Sequence, residues 1–232
     1  MIDLSADLGE GSPGEDEIWP LISSANVACG GHTGDEASMR HAVERAREHN
    51  VRLGAHPSYP DRENFGRRSM EIAPNILKQS LIDQIESLRA VGDVHHVKPH
   101  GALYNDAHKD RALADVIIDA MRTIDPSLAI VAPDTSQMAA AARAEGTRVI
   151  REAFADRRYE PDGSLVSRKI PGSTLTIDEA VAQADLLAHE STVIARDGMR
   201  VSIAFDTVCI HADMEGALER LRAIRARLAS HS

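Results

Sequence analysis

The segment His95–Asn105, HHVKPHGALYN, carries three histidines and one lysine around a short apolar run that stops at Pro-His-Gly. Alternate residues of a β-strand share one face, so the spacing predicts that His96, Lys98 and His100 point the same way. A lysine between two imidazoles is a poor choice for a packed apolar core. This face is therefore predicted to be either wet or chemically active.

Ionisable side chains of this kind end or follow six of the seven apolar runs in the chain. In chain order they are Asp7, Glu10, His32, Asp35, His56, Lys98, His100, Glu152, Asp156, His211 and Asp213. Each has a structural alternative, because an Asp after a strand is often a helix cap and a buried His is often only hydrogen-bonded. Asp35 and Asp178 are interpreted as caps. His32, His56 and His100 each follow a strand beside Gly or Pro, and we interpret these three as functional.

Two kinds of chemistry suit this set of side chains. Carboxylates such as Asp7 and Glu10, together with imidazoles, could hold a divalent metal such as Zn, Mn or Ni. The same groups could form a metal-free acid–base set, in which a carboxylate orients a histidine. Lys98 favours the second, because a cation repels a metal ion but stabilises a developing oxyanion. The spacing does not decide between them, since the groups come from different strands.

Further polar residues near these groups are predicted to bind substrate. Arg67 and Arg68 end a long, turn-rich loop, and a guanidinium can bind a carboxylate or phosphate through two parallel hydrogen bonds. A solvated pair of loop arginines is the alternative. Arg168, near a Gly-containing turn, is a weaker candidate of the same kind. Tyr104 and Asn105 follow a predicted strand end and could line a pocket or simply pack.

A repeated order of apolar run, polar loop and helical pattern positions these groups. The runs are Ile2–Leu8, Ala25–Cys29, Val51–Ala55, Val94–Pro99, Leu128–Ala132, Thr147–Phe154 and Val201–Ile210. The helical patterns are Asp35–His49, Pro74–Val91, Asp110–Ile124, Thr135–Glu145, Asp178–Ala195 and Asp213–Ala229, with Gly146 and Gly198 at predicted C-caps. Strands that alternate with helices predict a parallel sheet with right-handed crossovers.

The polarity of the first run distinguishes a barrel from an open sheet. Asp3, Ser5 and Asp7 alternate with apolar neighbours, whereas central strands of an open sheet are apolar on both faces. The sequence has no linker, low-complexity tract or internal repeat. We therefore predict a single-domain seven-stranded (β/α) barrel over residues 1–232. The carboxyl ends of barrel strands open on one rim, so the ionisable groups are predicted to converge there.

The composition argues against several classes of protein. A formal net charge of −10 and a pI near 5.5 leave no basic footprint for nucleic acid or for a membrane surface. No apolar run approaches the roughly 18–20 residues that span a bilayer, and the first residues lack a signal-peptide pattern. Cys29 and Cys209 are too few for a disulfide framework or a CxxC metal site. A cytoplasmic location is the expectation. P-loop, GxGxxG, GxSxG and HExxH motifs are also missing from the sequence.

Six motifs occur in the order that is typical of the LamB/YcsF family, whose members are A subunits of 5-oxoprolinase. They are DLSADLGEG, NVACGGHTGD, GAHPSYPDRENFGRR, HVKPHGALYN, EAFADRRY and CIHAD, and the chain resembles the family over essentially its full length. The sequence departs from the usual family motifs at Ser5, Ala6, Gly31, Thr33, Ala212, Met214 and Glu215. These departures remove no ionisable candidate and bear on the shape of the pocket.

The resemblance implies a glycoside hydrolase/deacetylase-like barrel and an ATP-hydrolysing cyclic-amide hydrolase that opens 5-oxo-L-proline (pyroglutamate) to L-glutamate. It implies ATP as co-substrate, accompanied by Mg, and partner subunits B and C. The missing P-loop agrees with this, since the partners could handle part of the ATP chemistry. In this interpretation a carboxylate–histidine pair, Asp7 with His32 or His100, activates water, and Lys98 stabilises the oxyanion.

The predicted site has two groups of residues. The catalytic group is Asp7, Glu10, His32, His56, Lys98, His100, Asp156 and His211, and the substrate-binding group is Arg67, Arg68, Tyr104, Asn105 and Asp213. A protein-bound divalent metal stays possible. Two other functions stay open: a metal-dependent deacetylase or amidase that acts alone, and a non-catalytic subunit that only binds substrate.

Overall fold

The computed structural model describes residues 2–212, 214 and 216–229. Within them the strands are β1 (Asp3–Leu8), β2 (Ser24–Ala28), β3 (Arg52–His56), β4 (His96–Val97), β5 (Ala129–Ala132), β6 (Val149–Phe154), β7 (Thr192–Ile194), β8 (Arg200–Ser202) and β9 (Thr207–Cys209). Strands β1 to β6 and β9 are parallel and close into a barrel in chain order, and β7 pairs with β8 in a separate antiparallel hairpin. The predicted seven-stranded (β/α) barrel is confirmed.

Helices follow the barrel strands and pack around the outside. They are α1 (Glu36–His49), α2 (Pro74–Arg89), α3 (Gly101–Lys109), α4 (Arg111–Ile124), α5 (Gln137–Ala144), α6 (Ile177–Glu190) and α7 (Ala217–Ala229), and two short 3-10 helices, Glu15–Glu17 and Trp19–Leu21, precede β2. On α2 the buried Leu77, Leu81, Ile85 and Leu88 recur every three or four residues. This spacing forms the apolar stripe by which a surface helix packs on its sheet.

Polar residues fill the interior of the barrel, as the alternation in the first strand predicts. The Ser24 hydroxyl donates to Asp3 at 2.8 Å, and His96 Nε2 lies 3.0 Å from Asn26 Oδ1. Gly54 faces this imidazole, and a Cβ on it would lie 2.1 Å from His96 Nε2. A glycine on β3 therefore leaves the room that a histidine on β4 occupies.

The helix caps are partly as predicted. Asp35 Oδ1 accepts the backbone N–H of Ser38 at 2.8 Å, which confirms Asp35 as the cap of α1. Asp178 is not a cap, so that prediction is wrong. Thr176 caps α6 instead, because its hydroxyl and the Glu179 carboxylate bond reciprocally to each other's backbone N–H groups.

The segment between β6 and β9 differs most from the prediction. The helix predicted to reach Ala195 ends at Glu190, and a hairpin, β7 and β8, follows it. Gly198, at φ +88°, lies in the turn of that hairpin and not at a helix end. Two strands take the place of the predicted strand Val201–Ile210. One is β8, which lies outside the barrel, and the other is β9, which is a strand of the barrel. Gly146, at φ +70°, does follow α5 as predicted.

A helix that the sequence did not predict, α3, starts directly after the HHVKPH segment. The assignment of residues 1–232 to one domain stays a prediction. None of the helices in the described part of the chain is long and apolar enough to cross a membrane.

Candidate active site

Lys98 extends from the end of β4 into the barrel and is the centre of a buried ionic cluster. Its ammonium lies 2.9 Å from Asp7 Oδ1 and 2.7 Å from Glu152 Oε1, and it donates to Cys209 Sγ at 3.2 Å. Lys98 is 3% exposed and Glu152 2%. Burial alone would lower the pKa of Lys98, but the negative charge of Asp7 and Glu152 outweighs it and holds that pKa well above its ordinary value.

Asp7 links this ionic cluster to the histidines. Its carboxylate accepts the Asn26 amide N–H at 2.8 Å and lies 3.4 Å from His56 Nε2. Burial would raise the pKa of Asp7, yet the charges of His56 and Lys98 hold it well below the ordinary range. Asp7 is therefore ionised, and it forms an ion pair with Lys98.

Two imidazoles face each other beside Asp7, and each is fixed by a carbonyl through one ring nitrogen. His56 Nδ1 lies 2.6 Å from the Lys98 carbonyl oxygen, and His100 Nε2 lies 3.0 Å from the carbonyl of Phe65. A carbonyl only accepts, so these two nitrogens carry the ring protons. His56 Nε2 and His100 Nδ1 face each other, 3.1 Å apart, and both are bare when the two rings are neutral. Two lone pairs at that distance repel each other unless a proton or a metal ion lies between them.

His32 and Glu10 complete the cluster of histidines. His32 Nε2 lies 3.0 Å from Glu10 Oε1, and the same carboxylate oxygen lies 3.4 Å from His100 Nδ1. The His32 ring stacks on that of His100, with centroids 3.7 Å apart. Burial and the neighbouring His56 lower the pKa of His32 to about 2, so its ring is neutral.

The donor set fits a divalent metal. Glu10, His56 and His100 each offer one ligand atom, and these atoms all lie within 4.8 Å of one another. Two imidazole nitrogens and one carboxylate oxygen are the protein ligands of many hydrolytic metal sites with an open position. Each histidine is also fixed through its other nitrogen by a carbonyl, which is the usual support of a metal ligand. The positive charge of Lys98 argues less against a metal than the sequence suggested, since the carboxylates of Asp7 and Glu152 lie 2.9 and 2.7 Å from the ammonium and offset part of its field.

A second Asp–His pair lies across the rim. The Asp156 carboxylate is fully buried and accepts the backbone N–H of His211 at 2.8 Å, with His211 Nδ1 at 3.1 Å. Burial would raise the pKa of Asp156, but the adjacent His211 outweighs it and lowers that pKa. The His211 ring stacks on Phe154, with centroids 5.5 Å apart.

These groups surround one small cavity at the carboxyl ends of the strands, which we call the rim cavity. Its wall includes Asp7, Glu10, His56, Arg67, Lys98, His100, Tyr104, Asn105, Phe154, Arg168 and His211. His32 and Asp156 do not line it but contact the rings of His100 and His211 that do. The structure thus brings all eight predicted catalytic residues to one place, and their catalytic roles stay predictions.

Comparison with known proteins identifies the relatives of this barrel. The model of the LamB/YcsF family matches residues 2–232. This chain belongs to the LamB/YcsF family. The crystal structure of the lactam utilization protein from Thermus thermophilus is 41% identical, with a TM-score of 0.93 over 99% of this chain and 96% of that one. A β-mannanase from Streptomyces thermolilacinus has a TM-score of 0.41 and 13% identity, over 90% of this chain and 78% of its own.

The structure of this LamB/YcsF barrel brings some of the predicted substrate-binding residues to the rim cavity and not others. Arg67 lines the rim cavity, and its guanidinium lies 4.9 Å from the centroid of the Phe65 ring. Tyr104 and Asn105 also line it. Arg68 is exposed and does not line the rim cavity, so the structure does not bring it to the site. Asp213 lies outside the described residues.

The carboxylate–histidine pairing suggested by the sequence needs correction. The sequence paired Asp7 with His32 or His100, whereas the structure places Asp7 beside His56 and Glu10 beside His32. Asp7 is the inward residue near the end of β1. Glu10 lies three residues later, beyond a turn at Gly9 (φ +76°), and reaches the loop that carries His32.

Glu152 is the functional candidate that the predicted catalytic group omitted. It forms an ion pair with Lys98 and accepts the Tyr104 hydroxyl at 2.6 Å. Burial, together with this carboxylate, holds the pKa of Tyr104 well above its ordinary value, so the phenol is neutral and donates. Glu152, Phe154 and Asp156 occupy alternate positions along β6 and just beyond it. Alternate residues of a strand share one face, so this spacing was the sequence signal for placing Glu152 with the other site residues.

Proposed function

We propose that this protein hydrolyses a lactam as the A subunit of an ATP-dependent 5-oxoprolinase, which opens 5-oxo-L-proline to L-glutamate. Membership of the LamB/YcsF family supports the proposal, as does the similarity to a solved lactam utilization protein. The observation that carries it is the convergence of Asp7, Lys98, His56 and His100 on one rim cavity. Titratable groups that are buried together in this way are typical of functional sites.

The ionic cluster accounts for charge stabilisation in this proposal. Attack on the lactam carbonyl places negative charge on its oxygen. The ammonium of Lys98 is already held by Asp7 and Glu152 in a buried site, so it needs no reorganisation to face that charge. Arg67, at the mouth of the cavity, is the group that we assign to the substrate carboxylate.

The histidines and Glu10 account for proton transfer. His56 is fixed by the Lys98 carbonyl, and the adjacent carboxylate of Asp7 outweighs burial and raises its pKa. Where no metal occupies its second nitrogen, an imidazole held in this way can take a proton from water and return it to the leaving nitrogen. Glu10, His56 and His100 are the residues that would hold a divalent metal. When bound there, such an ion would polarise the carbonyl and acidify a water molecule.

ATP has a chemical reason in this reaction. A five-membered lactam is a stable amide, so water attacks it slowly. Transfer of the γ-phosphoryl group of ATP to the amide oxygen leaves ADP and an O-phosphorylated imidate, whose carbon water attacks more readily than that of the amide. Water then adds to this carbon, and the C–N bond of the tetrahedral adduct breaks as the nitrogen takes a proton. A second water molecule hydrolyses the resulting acyl phosphate to the carboxylate and releases phosphate. The sequence has no P-loop, and we assign part of the ATP handling to subunits B and C.

The test is reconstitution of the purified chain with subunits B and C, followed by measurement of glutamate and phosphate release from 5-oxo-L-proline. We expect both products only when ATP and all three chains are present. Glutamate release by B and C without this chain would exclude the proposal. Equal release with and without ATP would exclude the ATP-dependent reaction.

A second candidate function, a metal-dependent deacetylase or amidase that acts alone, is favoured by the Glu10, His56 and His100 donor set. It predicts that the isolated chain hydrolyses amide substrates without ATP and loses this activity on chelation. Elemental analysis of the purified chain, combined with that assay, separates it from the leading proposal.

A further inference from the structure

A second and larger cavity, of about 650 Å³, opens beside the rim cavity. Its walls come from α3, from the loop that follows β6 and from residues 202–204, which end the hairpin and continue just beyond it. Arg67, Tyr104 and Arg168 line both cavities, so the two adjoin. We call the larger one the basic cleft, for the charges described next.

The basic cleft carries excess positive charge in a protein whose net charge is −10. Its cationic residues are Arg67, Lys109, Arg157, Arg168 and Lys169, and its acidic residues are Asp134, Glu152 and Asp162. The cations thus outnumber the acids by five to three. A cleft with a surplus of one sign concentrates ions of the opposite sign, here anions.

Arg157 is the buried cation of this wall. It is 6% exposed, and its guanidinium is held by neutral groups, with Nη2 donating to the Val166 carbonyl at 2.7 Å and Nε to that of Ser173 at 3.4 Å. Among the described residues no carboxylate lies within ion-pair distance of it. Burial and the charge of Arg168 lower the pKa of Arg157, so the two guanidinium groups repel each other. Buried charges usually have a partner of opposite sign, and an anionic ligand would supply one.

We propose that the basic cleft binds the phosphate group of a phosphorylated ligand, with Arg157 and Arg168 as its principal contacts. The proposal rests on the ATP-dependent function, and it places that phosphate next to the rim cavity. Two ligands share this chemistry: a nucleotide, through its polyphosphate, and a phosphorylated lactam, through its single phosphate. Guanidinium groups bind either through paired hydrogen bonds to phosphate oxygens.

The test is titration calorimetry on the isolated full chain at low salt, with MgATP and, separately, inorganic phosphate as probes. Arg168 is exposed, so Arg168→Glu removes a contact without disturbing the core. We expect this variant to bind about tenfold or more weakly, because a charge-assisted contact is replaced by repulsion. Arg168→Lys should retain part of the affinity. Arg40→Glu, on an exposed face of α1, is the matched control and should bind as the wild type does.

The possible results distinguish a nucleotide from a phosphorylated lactam, and they test the cleft proposal separately from the proposed function. Tighter binding of MgATP than of phosphate assigns the cleft to a nucleotide, and similar binding of both assigns it to a single phosphate. If neither probe binds the wild type, or if Arg40→Glu weakens binding as much as Arg168→Glu, the cleft proposal is wrong. The calorimetry requires no turnover, so failure of the cleft proposal leaves glutamate release by the reconstituted complex as a separate test of function.

Discussion

Glu152 shows how far a single residue can be understood from its contacts. The carboxylate bridges the Lys98 ammonium and the Tyr104 hydroxyl inside the barrel. Alternation along β6 indicates which face the residue occupies but not which partner it meets. The partner depends on barrel closure, which brings β4 and β6 to the same interior. For this reason the sequence could predict Lys98 as a candidate and could not predict the pair.

Glu152→Gln should therefore lower turnover without unfolding the barrel. The substitution keeps the shape but removes one of the two negative charges that hold Lys98. We expect kcat for glutamate release to fall by about tenfold or more, and the free energy of unfolding to fall by about 1–3 kcal/mol. Denaturant titration and steady-state kinetics measure the two effects. Glu145→Gln, on an exposed face, is the control, and equal losses in both variants would contradict the role of Glu152.

The Asp156–His211 pair predicts a specific acid dependence of stability. The pKa of Asp156 is lowered in the folded state, so its stabilising effect is complete above the unfolded pKa of about 3.9 and is lost as pH falls through the folded pKa. Wild type should therefore lose stability below about pH 4 more steeply than Asp156→Asn. Thermal denaturation between neutral and acid pH measures this. If the melting temperatures of the two proteins fall identically at acid pH, the pair does not contribute to stability.

Gly31, one of the departures from the usual family motif, has a physical explanation. A Cβ at this position would lie 2.2 Å from Gln84 Oε1 and 2.5 Å from Ser58 Oγ. Gln84 is buried and bonds to both the backbone N–H and the carbonyl of Ser58. In this chain the space beside the histidines is thus filled by a helix residue, and Gly31 leaves room for it.

At the scale of elements, α3 is the helix that sequence patterns missed. Pro99 and Gly101 read as a loop, because both usually interrupt helices. In the structure His100 is extended and Gly101, at φ +58°, starts the helix against the loop that carries Arg67. A Cβ on Gly101 would lie 2.6 Å from the carbonyl oxygen of Gly66. That close approach is a tertiary contact, which local patterns do not contain.

Gly101→Ala should consequently destabilise the protein and reduce activity. The added methyl group meets a backbone carbonyl and the positive φ is strained, so we expect a loss of about 2–4 kcal/mol in the free energy of unfolding. Gly146→Ala is the matched control, since Gly146 also has a positive φ (+70°) but nothing lies within 4 Å of its Cβ position. It should lose only about 1 kcal/mol. If chemical denaturation shows the same loss in the free energy of unfolding for both variants, the close approach to Gly66 is not the cause.

The hairpin of β7 and β8 is the other element that the sequence misassigned. The alanine-rich pattern of α6 continues towards Ala195, which predicted a longer helix. The chain instead leaves the helix at Ser191, which has a φ of +52°, and Thr192 and Val193 begin a strand. β-Branched residues at a helix end favour this outcome, because their side chains are restricted in a helix.

At the scale of the whole molecule, the barrel and its rim were predictable from order and polarity. Polar residues on one face of a strand favour a closed interior, and parallel strands deliver their ends to one rim. The sequence did not predict which groups meet across that rim. It paired Asp7 with His32 or His100, whereas in the structure Glu10 lies beside His32 and Asp7 lies beside His56. Pairing depends on how deep each residue lies in the barrel, and spacing along the chain does not specify depth.

A metal at the rim would stabilise the whole barrel. Metal that binds only the folded state raises the unfolding temperature with concentration. We expect Zn or Mn to raise the melting temperature of the wild type, and Glu10→Gln with His100→Ala to abolish that rise. The same increase in the double variant would place any metal elsewhere. The readout needs no catalytic activity, so it tests the donor set independently of the reaction.

The central claim is that the cluster around Lys98 performs the chemistry. The most direct measurement is 5-oxo-L-proline-dependent glutamate release by the reconstituted complex that contains Lys98→Met. Lys78→Met, on the outer surface of α2, is the control, and circular dichroism confirms that both variants fold. The account predicts that Lys98→Met lowers kcat by about 100-fold or more while Lys78→Met retains full turnover. Wild-type turnover by a folded Lys98→Met protein would contradict it.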